Sequence, residues 1–294
     1  MTDAGVREQQ VDVGGRTLMV REAGDLDGTP LVYFHGTPSC RLEPAFADDL
    51  ALELGIRLVS FDRPGYGESP AASFSLASVA RDTGVVADAL GLGRFATTGQ
   101  SGGGPFSLAC GVVLGDRVTR VGVTSGAGPF MEVPEALGIL DDNDQSAVAL
   151  LPDPDAAARQ FGVGFEPYRE LSRGTDEEIV AGFRTMGSRR DGELLDVPEF
   201  AAALATATRA ALAPGTSGGG WDNVAWVGPW DIDPRSVRQP VFLWYGDEDT
   251  FAPLAHGQWL AEHVPGATLV VRQGEGHLGV MEHAREVLTT LTSP

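Results

Sequence analysis

A strand-turn-helix pattern around Ser101 constrains the fold of this chain more than any other feature. Residues 95–99 begin with apolar side chains and are rich in Thr, which favours a strand, and apolar residues recur at helical spacing from Pro105. Between these segments stands GQSGG at 99–103, a G-x-S-x-G sequence. Its glycines permit a tight turn that exposes the serine hydroxyl at the start of a helix, where free N–H groups stabilise negative charge. The pattern predicts Ser101 as a catalytic nucleophile.

The same five-residue pattern occurs a second time, in a different context. GTSGG at 215–219 follows Ala213-Pro214 and precedes GWD, with no strand pattern before it and no helix pattern after it. We interpret this second copy as a loop, because Gly, Pro and Ser cluster there. Only the first copy has the surroundings that a nucleophile needs.

Buried-strand runs alternate with helical patterns along most of the chain. Strands are predicted at 31–34, 57–61, 95–99, 118–123, 241–245 and 268–271, a hairpin at 11–22 with its turn at Gly14-Gly15, and helices at 41–54, 75–90, from 105, at 253–263 and up to 291. Alternation of this kind predicts an α/β fold with a mostly parallel sheet covered by helices on both faces.

A long stretch between two predicted strands contains helical patterns but no buried-strand run. A capping box stands at 175–178, and Pro198 opens an Ala-rich helix. Because parallel sheets bind ligands at the carboxyl ends of their strands, an insertion there lies above the site. We expect residues 127–234 to form a helical cap, or lid, inserted after the sixth strand, and residues 1–126 and 235–294 to form the core.

Three tryptophans come late in this stretch. Trp221, Trp226 and Trp230 stand in what we interpret as a Gly-rich loop. Ligand pockets are commonly lined by aromatic side chains. We therefore predict that these tryptophans, together with Gln100 beside the nucleophile, bind the substrate.

A serine hydroxyl becomes an effective nucleophile only when a base accepts its proton and a carboxylate orients that base. His277 follows the last strand after a Gly-rich turn and is predicted as the base, whereas His35 precedes the nucleophile and is interpreted as a structural group of its own loop. Asp249 follows the strand before and is predicted as the acid, with Asp247 as the alternative.

The oxyanion of the reaction also needs hydrogen-bond donors. The N–H of Gly102, directly after the nucleophile, is one candidate, and the second should come from the loop HGTP at 35–38. Proline lacks an N–H, so Thr37 is predicted to supply it.

Five motifs, taken together, carry a resemblance to a known family. They are HGTP at 35–38, DRPGYGES at 62–69, GQSGGG at 99–104, GDEDTFAP at 246–253 and GEGH at 274–277. In this order they resemble the α/β-hydrolase fold family. The resemblance implies an eight-stranded, mostly parallel sheet, a cap after the sixth strand and a triad of Ser101, Asp249 and His277. It also implies that the DRPGYG turn shapes the site from behind, so Asp62 and Arg63 are assigned structural roles.

The expected reaction is transfer of an acyl group from a carboxylic ester or related small molecule to water, without metal or cofactor. Ser101 excludes relatives with an aspartate nucleophile, which are the haloalkane dehalogenases and epoxide hydrolases. Prolyl aminopeptidases usually show HGGPG and a Trp after the serine, where this chain has Thr37 and Gly102. Cofactor-free perhydrolases share the triad, so a perhydrolase remains an alternative. A non-catalytic relative is a further alternative, but such relatives typically lose the triad, which looks intact in this chain.

An aminopeptidase would additionally need a carboxylate in the lid to anchor the substrate amine. The candidates are Glu166, Glu170, Glu177 and Glu178, which we interpret as solvated helix faces.

Charge and cysteine content limit the partners. The chain has 21 Lys and Arg against 41 Asp and Glu, a net charge of −20, so we expect it to bind neither nucleic acid nor membranes.

Cys40 and Cys110 are interpreted as free thiols in a reducing compartment. No signal-like or membrane-spanning apolar run is present, and we expect a cytoplasmic protein. Oligomeric state does not follow from these patterns.

Overall fold

The computed structural model of the protein describes residues 5–133 and 136–293. Eight strands form one sheet, as predicted, and their order is β1-β2-β4-β3-β5-β6-β7-β8. The strands are β1 (Arg7–Asp12), β2 (Thr17–Gly24), β3 (Thr29–Phe34), β4 (Ile56–Phe61), β5 (Phe95–Gln100), β6 (Val118–Thr124), β7 (Val241–Gly246) and β8 (Ala267–Arg272). β1 and β2 are antiparallel to their neighbours, and all the other pairs are parallel.

Helices connect and cover the strands. They are α1 (Asp48–Glu53), α2 (Leu76–Ala89), α3 (Gly104–Leu114), α4 (Asp142–Val148), α5 (Pro154–Gly164), α6 (Glu166–Leu171), α7 (Asp176–Met186), α8 (Arg189–Leu194), α9 (Pro198–Leu212), α10 (Ser217–Val227), α11 (Leu254–His263) and α12 (Ala284–Thr292). Short 3₁₀ segments also occur, among them Glu43–Ala47, Ser101–Gly103 and Gly279–His283.

The sheet is buried on both faces because its central strands carry apolar side chains in both directions. On β3, Val32 and Phe34 pack into the core that α2, α3 and α11 share, while Leu31 and Tyr33 pack with α1 and α12. The N-terminal hairpin, formed by β1 and β2, lies at one edge of the sheet. It turns at Gly14 and Gly15, whose φ angles of 90° and 94° are ones that glycine adopts readily.

Seven α-helices, α4 to α10, lie between β6 and β7 in the part of the chain that the structure describes. The predicted capping box is confirmed: the Thr175 hydroxyl accepts from Glu178 N–H and the Glu178 carboxylate accepts from Thr175 N–H, which begins α7. Pro198 begins α9 as predicted. α9 packs on the 3₁₀ segment Glu43–Ala47, and α8 packs on the 3₁₀ segment Gly279–His283, so these helices contact the sheet-bearing part of the chain.

Two local predictions are wrong. Residues 41–54 are not one helix, because a 3₁₀ turn that contains Pro44 precedes the short helix α1. The glycines at 218–220 belong to a helix rather than a loop: a Cβ on Gly219 would lie 2.6 Å from the Phe165 ring, and one on Gly220 would lie 2.2 Å from Ala158 O. Glycine therefore serves close packing of α10 against α5.

The two cysteines are free and buried, as predicted, and burial raises the pKa of the Cys110 thiol to about 12. Among the described helices, none combines the length and the apolar character needed to cross a bilayer.

Candidate active site

Ser101 lies at a sharp turn between β5 and α3. Its φ angle of 54° is in the left-handed region, which residues other than glycine rarely adopt. The turn closes because its glycines leave room. A Cβ on Gly99 would lie 2.2 Å from the Gly103 carbonyl oxygen, and one on Gly103 would lie 2.2 Å from Phe34 O. The serine is thus held beyond the carboxyl end of the central strand.

His277 and Asp249 meet beside this turn, His277 after β8 and Asp249 after β7. His277 Nδ1 lies 2.8 Å from Asp249 Oδ2, and the Asp249 side chain is fully buried. The other carboxylate oxygen accepts from Phe251 N–H and Ala252 N–H at 2.8 and 2.9 Å. Because a carboxylate only accepts hydrogen bonds, Nδ1 must donate, and Nε2 of the neutral ring is left as an acceptor.

The alternative acid, Asp247, does not reach the histidine. Its carboxylate is exposed and accepts from Gly274 N–H at 2.7 Å. Of the two candidates, the structure brings Asp249 to His277.

Charged neighbours shift the pKa of His277. Burial lowers this pKa, but attraction and a hydrogen bond from Asp249, with further attraction from Asp191 and Glu43, raise it above its ordinary value. An imidazole that carries these partners can accept a proton and then return it.

Two other buried histidines are neutral structural groups. Burial, reinforced by Arg63, lowers the pKa of His35 well below its ordinary value, and its Nδ1 donates to Gly36 O at 2.7 Å. Burial lowers the pKa of His256 to about 4, and its Nδ1 accepts from Gly128 N–H at 3.0 Å. The predicted structural role of His35 agrees with these contacts.

The loop at 35–38 passes directly beside the serine. A Cβ on Gly36 would lie 3.5 Å from Ser101 Cβ, and one on Gly102 would lie 2.3 Å from Thr37 Oγ1. Thr37 N–H makes no hydrogen bond to any residue that the structure describes. The two predicted oxyanion donors therefore belong to segments that touch each other.

A buried ion pair fixes that loop. Arg63 Nε and Nη2 donate to the Asp222 carboxylate at 2.7 and 2.6 Å, and both side chains are fully buried. Arg63 Nη1 also donates to His35 O at 2.8 Å. Thr37 Oγ1 and Tyr66 OH donate to Asp222 Oδ2 at 2.5 and 2.7 Å. The DRPGYG turn thus supports the loop from behind, which agrees with the structural role assigned to Arg63.

Asp62, from the same turn, holds the neighbouring backbone. It accepts from the N–H and Nη1 of Arg41 at 2.8 and 2.7 Å, and from Glu68 N–H at 2.9 Å. Its contacts agree with the structural role assigned to it.

A cavity of about 130 Å³ opens beside these groups. Ser101 and His277 both line it, although no hydrogen bond joins Ser101 Oγ to the ring in the described part of the chain. Most of the remaining lining is apolar: Phe46, Tyr168, Phe183, Met186, Phe200, Ala203, Leu204, Phe251, Leu278 and Met281. Catalytic groups are often farther apart without substrate than in the reacting complex, so this arrangement permits general-base catalysis.

The predicted binding residues occupy different places. Gln100 lines the cavity, and its Nε2 donates to His277 O at 3.1 Å. None of the three tryptophans lines it. Trp221 and Trp230 border separate surface cavities, and Trp226 Nε1 would lie 3.1 Å from a Cβ on Gly102. Trp221 and Trp226 point in different directions because they lie on a helix instead of the predicted loop.

Sequence reasoning missed three carboxylates at the site: Asp222, Asp191 and Glu43. Asp222 holds the loop at 35–38, and Asp191 accepts backbone hydrogen bonds from the segment that carries His277. Glu43 accepts from Gly36 N–H at 3.0 Å and lines the cavity. The one local signal was Ser188-x-x-Asp191, which matches a helix cap but does not indicate a contact with the site.

Comparison with known proteins decides the family. The family model described as alpha/beta hydrolase fold matches residues 29–284. The chain belongs to the α/β-hydrolase fold family. The predicted resemblance and the predicted eight-stranded fold are thereby confirmed.

Two curated relatives of this α/β hydrolase are themselves hydrolytic enzymes. A poly(3-hydroxyalkanoate) depolymerase from Ectopseudomonas oleovorans is 24% identical over 266 residues, which cover 88% of this chain and 81% of that protein. A 2-hydroxy-6-oxononadienedioate/2-hydroxy-6-oxononatrienedioate hydrolase from Burkholderia vietnamiensis is 25% identical, with 96% and 88% covered. These relatives support hydrolase activity.

Solved structures agree on the fold. An esterase from Exiguobacterium antarcticum superposes with a TM-score of 0.69 at 20% identity, covering 98% of this chain and all of that one (100%). An alpha/beta hydrolase fold protein from Nakamurella multipartita gives a TM-score of 0.72 at 20% identity, with 97% and 99% covered.

Proposed function

We propose that this α/β hydrolase is a serine esterase that cleaves a carboxylic ester or related acyl bond through an acyl-enzyme on Ser101. The observation that carries the proposal is the hydrogen bond from His277 Nδ1 to the buried carboxylate of Asp249. His277 lines the same cavity as Ser101, which is held in a left-handed turn.

The proposed reaction begins when Ser101 Oγ attacks the acyl carbon and transfers its proton to His277 Nε2. The carbonyl oxygen becomes an oxyanion, held by the N–H groups of Thr37 and Gly102. When the intermediate collapses, the C–O bond to the alcohol breaks and His277 returns the proton to the leaving oxygen. Water then attacks the acyl-enzyme with His277 again accepting the proton; the bond between the acyl carbon and Ser101 Oγ breaks, and His277 returns the proton to Oγ as the acid leaves. Asp249 orients the imidazole and stabilises its charged form.

We propose that residues 127–234 act as the cap over this site. Support comes from the residues that form the cavity wall: Tyr168, Phe183 and Phe200, on α6, α7 and α9, line the same cavity as Ser101. The candidate amine anchors, Glu166, Glu170, Glu177 and Glu178, are exposed, as expected of solvated helix faces, and do not line the cavity. Asp191, the carboxylate of the insertion that does line the cavity, is already bound by four backbone N–H groups, which favours an esterase over an aminopeptidase.

A fluorophosphonate probe tests the mechanism directly. We expect stoichiometric labelling, located on Ser101 by peptide mass spectrometry, because the probe reacts with serines activated by a base. Hydrolysis of p-nitrophenyl esters of increasing chain length, beside proline p-nitroanilide, measures the substrate class. An unlabelled Ser101 with no ester turnover would support a non-catalytic binding protein, whereas preference for the anilide would support an aminopeptidase.

The cavity also predicts the charge of the substrate. Within its described lining, Glu43 and Asp191 are acidic and none of the side chains is Lys or Arg. The guanidinium of Arg63 lies nearby but is bound by Asp222. A substrate carboxylate would therefore be desolvated without a cationic partner, which is strongly unfavourable. We propose neutral acyl groups as substrates.

Mono-p-nitrophenyl adipate and p-nitrophenyl hexanoate test this selectivity, because their acyl chains match in length and differ in one carboxylate. We expect kcat/KM to be on the order of 100-fold higher for the hexanoate, the effect of burying one unpaired charge. p-Nitrophenyl methyl adipate, which is longer but neutral, is the control for chain size and should resemble the hexanoate. Equal rates for the adipate and its methyl ester would contradict the proposal.

A further inference from the structure

Asp191 is a buried carboxylate at the junction between the helical insertion and the triad. It is 1% exposed and lies on α8, and it also lines the cavity. A buried carboxylate must be paired or hydrogen-bonded to remain stable. None of the roles proposed above uses it.

Among the described residues, all the hydrogen-bond donors to the Asp191 carboxylate are backbone N–H groups. Oδ1 accepts from Leu278 and Gly279 at 2.6 and 3.0 Å, and Oδ2 accepts from His277 and Ser188 at 3.2 and 2.8 Å. Three of these four donors belong to the segment that carries the triad histidine. The fourth begins α8, on which Asp191 itself lies.

The histidine segment and the start of α8 lie so close together that no side chain fits at position 276. A Cβ on Gly276 would lie 2.2 Å from Ser188 Oγ and 2.3 Å from Asp191 Oδ2. Glycine at 276 therefore lets the histidine segment lie against the start of α8. The histidine segment is thus in contact with α8 as well as bonded to Asp249 through the ring.

We propose that Asp191 is a positioning residue for the triad: from the helical insertion, it holds the backbone of His277 and adds negative charge near the ring. This inference rests on the proposed function. It makes α8 part of the catalytic apparatus, so that the insertion contributes to the orientation of the base as well as to the cavity wall.

The charge of Asp191 has its own consequence. The charged side chains that act on the His277 ring are Asp249, Asp191 and Glu43, and all three stabilise the imidazolium. At the same junction, Arg190 pairs with Glu193, Glu275 and Glu282. Removing the negative charge of Asp191 should lower the pKa of His277, so the base would be neutral and active at lower pH than in the wild-type protein.

Asp191→Asn tests the inference with little change in shape. Its amide nitrogen cannot accept the N–H groups that one carboxylate oxygen binds, so the histidine segment loses part of its support. We expect kcat for a p-nitrophenyl ester to fall about 10–100-fold with little change in KM, the cost of a small misplacement of the base. The acidic limb of the kcat/KM profile should move about one pH unit lower.

Asp191→Glu restores the charge with a longer side chain and should return the acidic limb to the wild-type position. Asp196→Asn is the matched control, because Asp196 is an exposed carboxylate just after α8 that pairs with Arg184. It should leave kcat and the pH profile unchanged. Thermal unfolding of each variant identifies any that fail to fold, and an NMR titration of His277 measures its pKa without any substrate.

The outcomes separate this inference from the proposed function. Wild-type protein that neither hydrolyses esters nor reacts with a fluorophosphonate would overturn the proposed function. Active wild-type protein with an unmoved acidic limb and an unmoved His277 pKa in Asp191→Asn would overturn the role of Asp191, even if kcat falls uniformly.

Discussion

Ser101→Ala is expected to lower kcat/KM for p-nitrophenyl esters by on the order of 10⁴–10⁶-fold while the protein remains folded. The hydroxyl is the proposed attacking group, and alanine lacks it. Alanine has the same backbone restrictions as serine, so the strain of the left-handed turn at φ 54° is unchanged. The activity is measured by release of p-nitrophenolate, and folding is measured by circular dichroism and the unfolding temperature.

The chain provides a matched control in Ser125. This serine follows β6, the neighbouring strand, and also has a left-handed backbone, with φ 46°. Its side chain is fully buried and does not line the cavity. Ser125→Ala should therefore keep wild-type activity.

A triad that acts as a unit also predicts that Ser101→Ala/His277→Ala is no less active than Ser101→Ala alone. Near-normal turnover by Ser101→Ala would refute the proposed nucleophile.

The nucleophile turn and the alternation of strands and helices in the core were predictable because their determinants are local. Glycine is required at 99 and 103 because a Cβ would collide with backbone atoms a few residues away or on the adjacent strand. The spacing of these glycines is visible in the sequence. His277 and Asp249 could be selected because parallel strands bring their following loops to one edge of the sheet. Asp249 was already preferred to Asp247 from the sequence, and the structure adds where each carboxylate points.

The contributions of the helical insertion were not predictable in the same way. Asp222 and Thr37 are 185 residues apart, and Asp191 and His277 are 86 apart. Such contacts depend on how helices dock on the sheet, which helical periodicity does not specify. For the tryptophans, the wrong prediction is the loop: Trp221 and Trp226 lie on the helix α10. Their role in substrate binding stays a prediction.

Asp222→Ala is expected to cause the largest loss of stability among the changes considered. It would leave the Arg63 guanidinium buried with no opposite charge, and removal of one partner of a buried ion pair typically costs about 3–5 kcal/mol in the free energy of unfolding. Thr37 and Tyr66 would also lose their shared acceptor. Urea denaturation measures the loss, and the exposed pair of Arg184 and Asp196 supplies a control in Asp196→Ala, which should change stability little.

The double variant Arg63→Met/Asp222→Leu separates stability from positioning. Replacing both members of a buried ion pair with apolar side chains is often neutral or stabilising, so the free energy of unfolding should recover relative to Asp222→Ala. Activity should not recover, because the hydrogen bonds from Arg63 to His35 O and from Thr37 to Asp222 would both be absent, and the loop beside Ser101 would lose its support. Recovery of kcat together with stability would mean that the ion pair stabilises the fold without positioning the oxyanion loop.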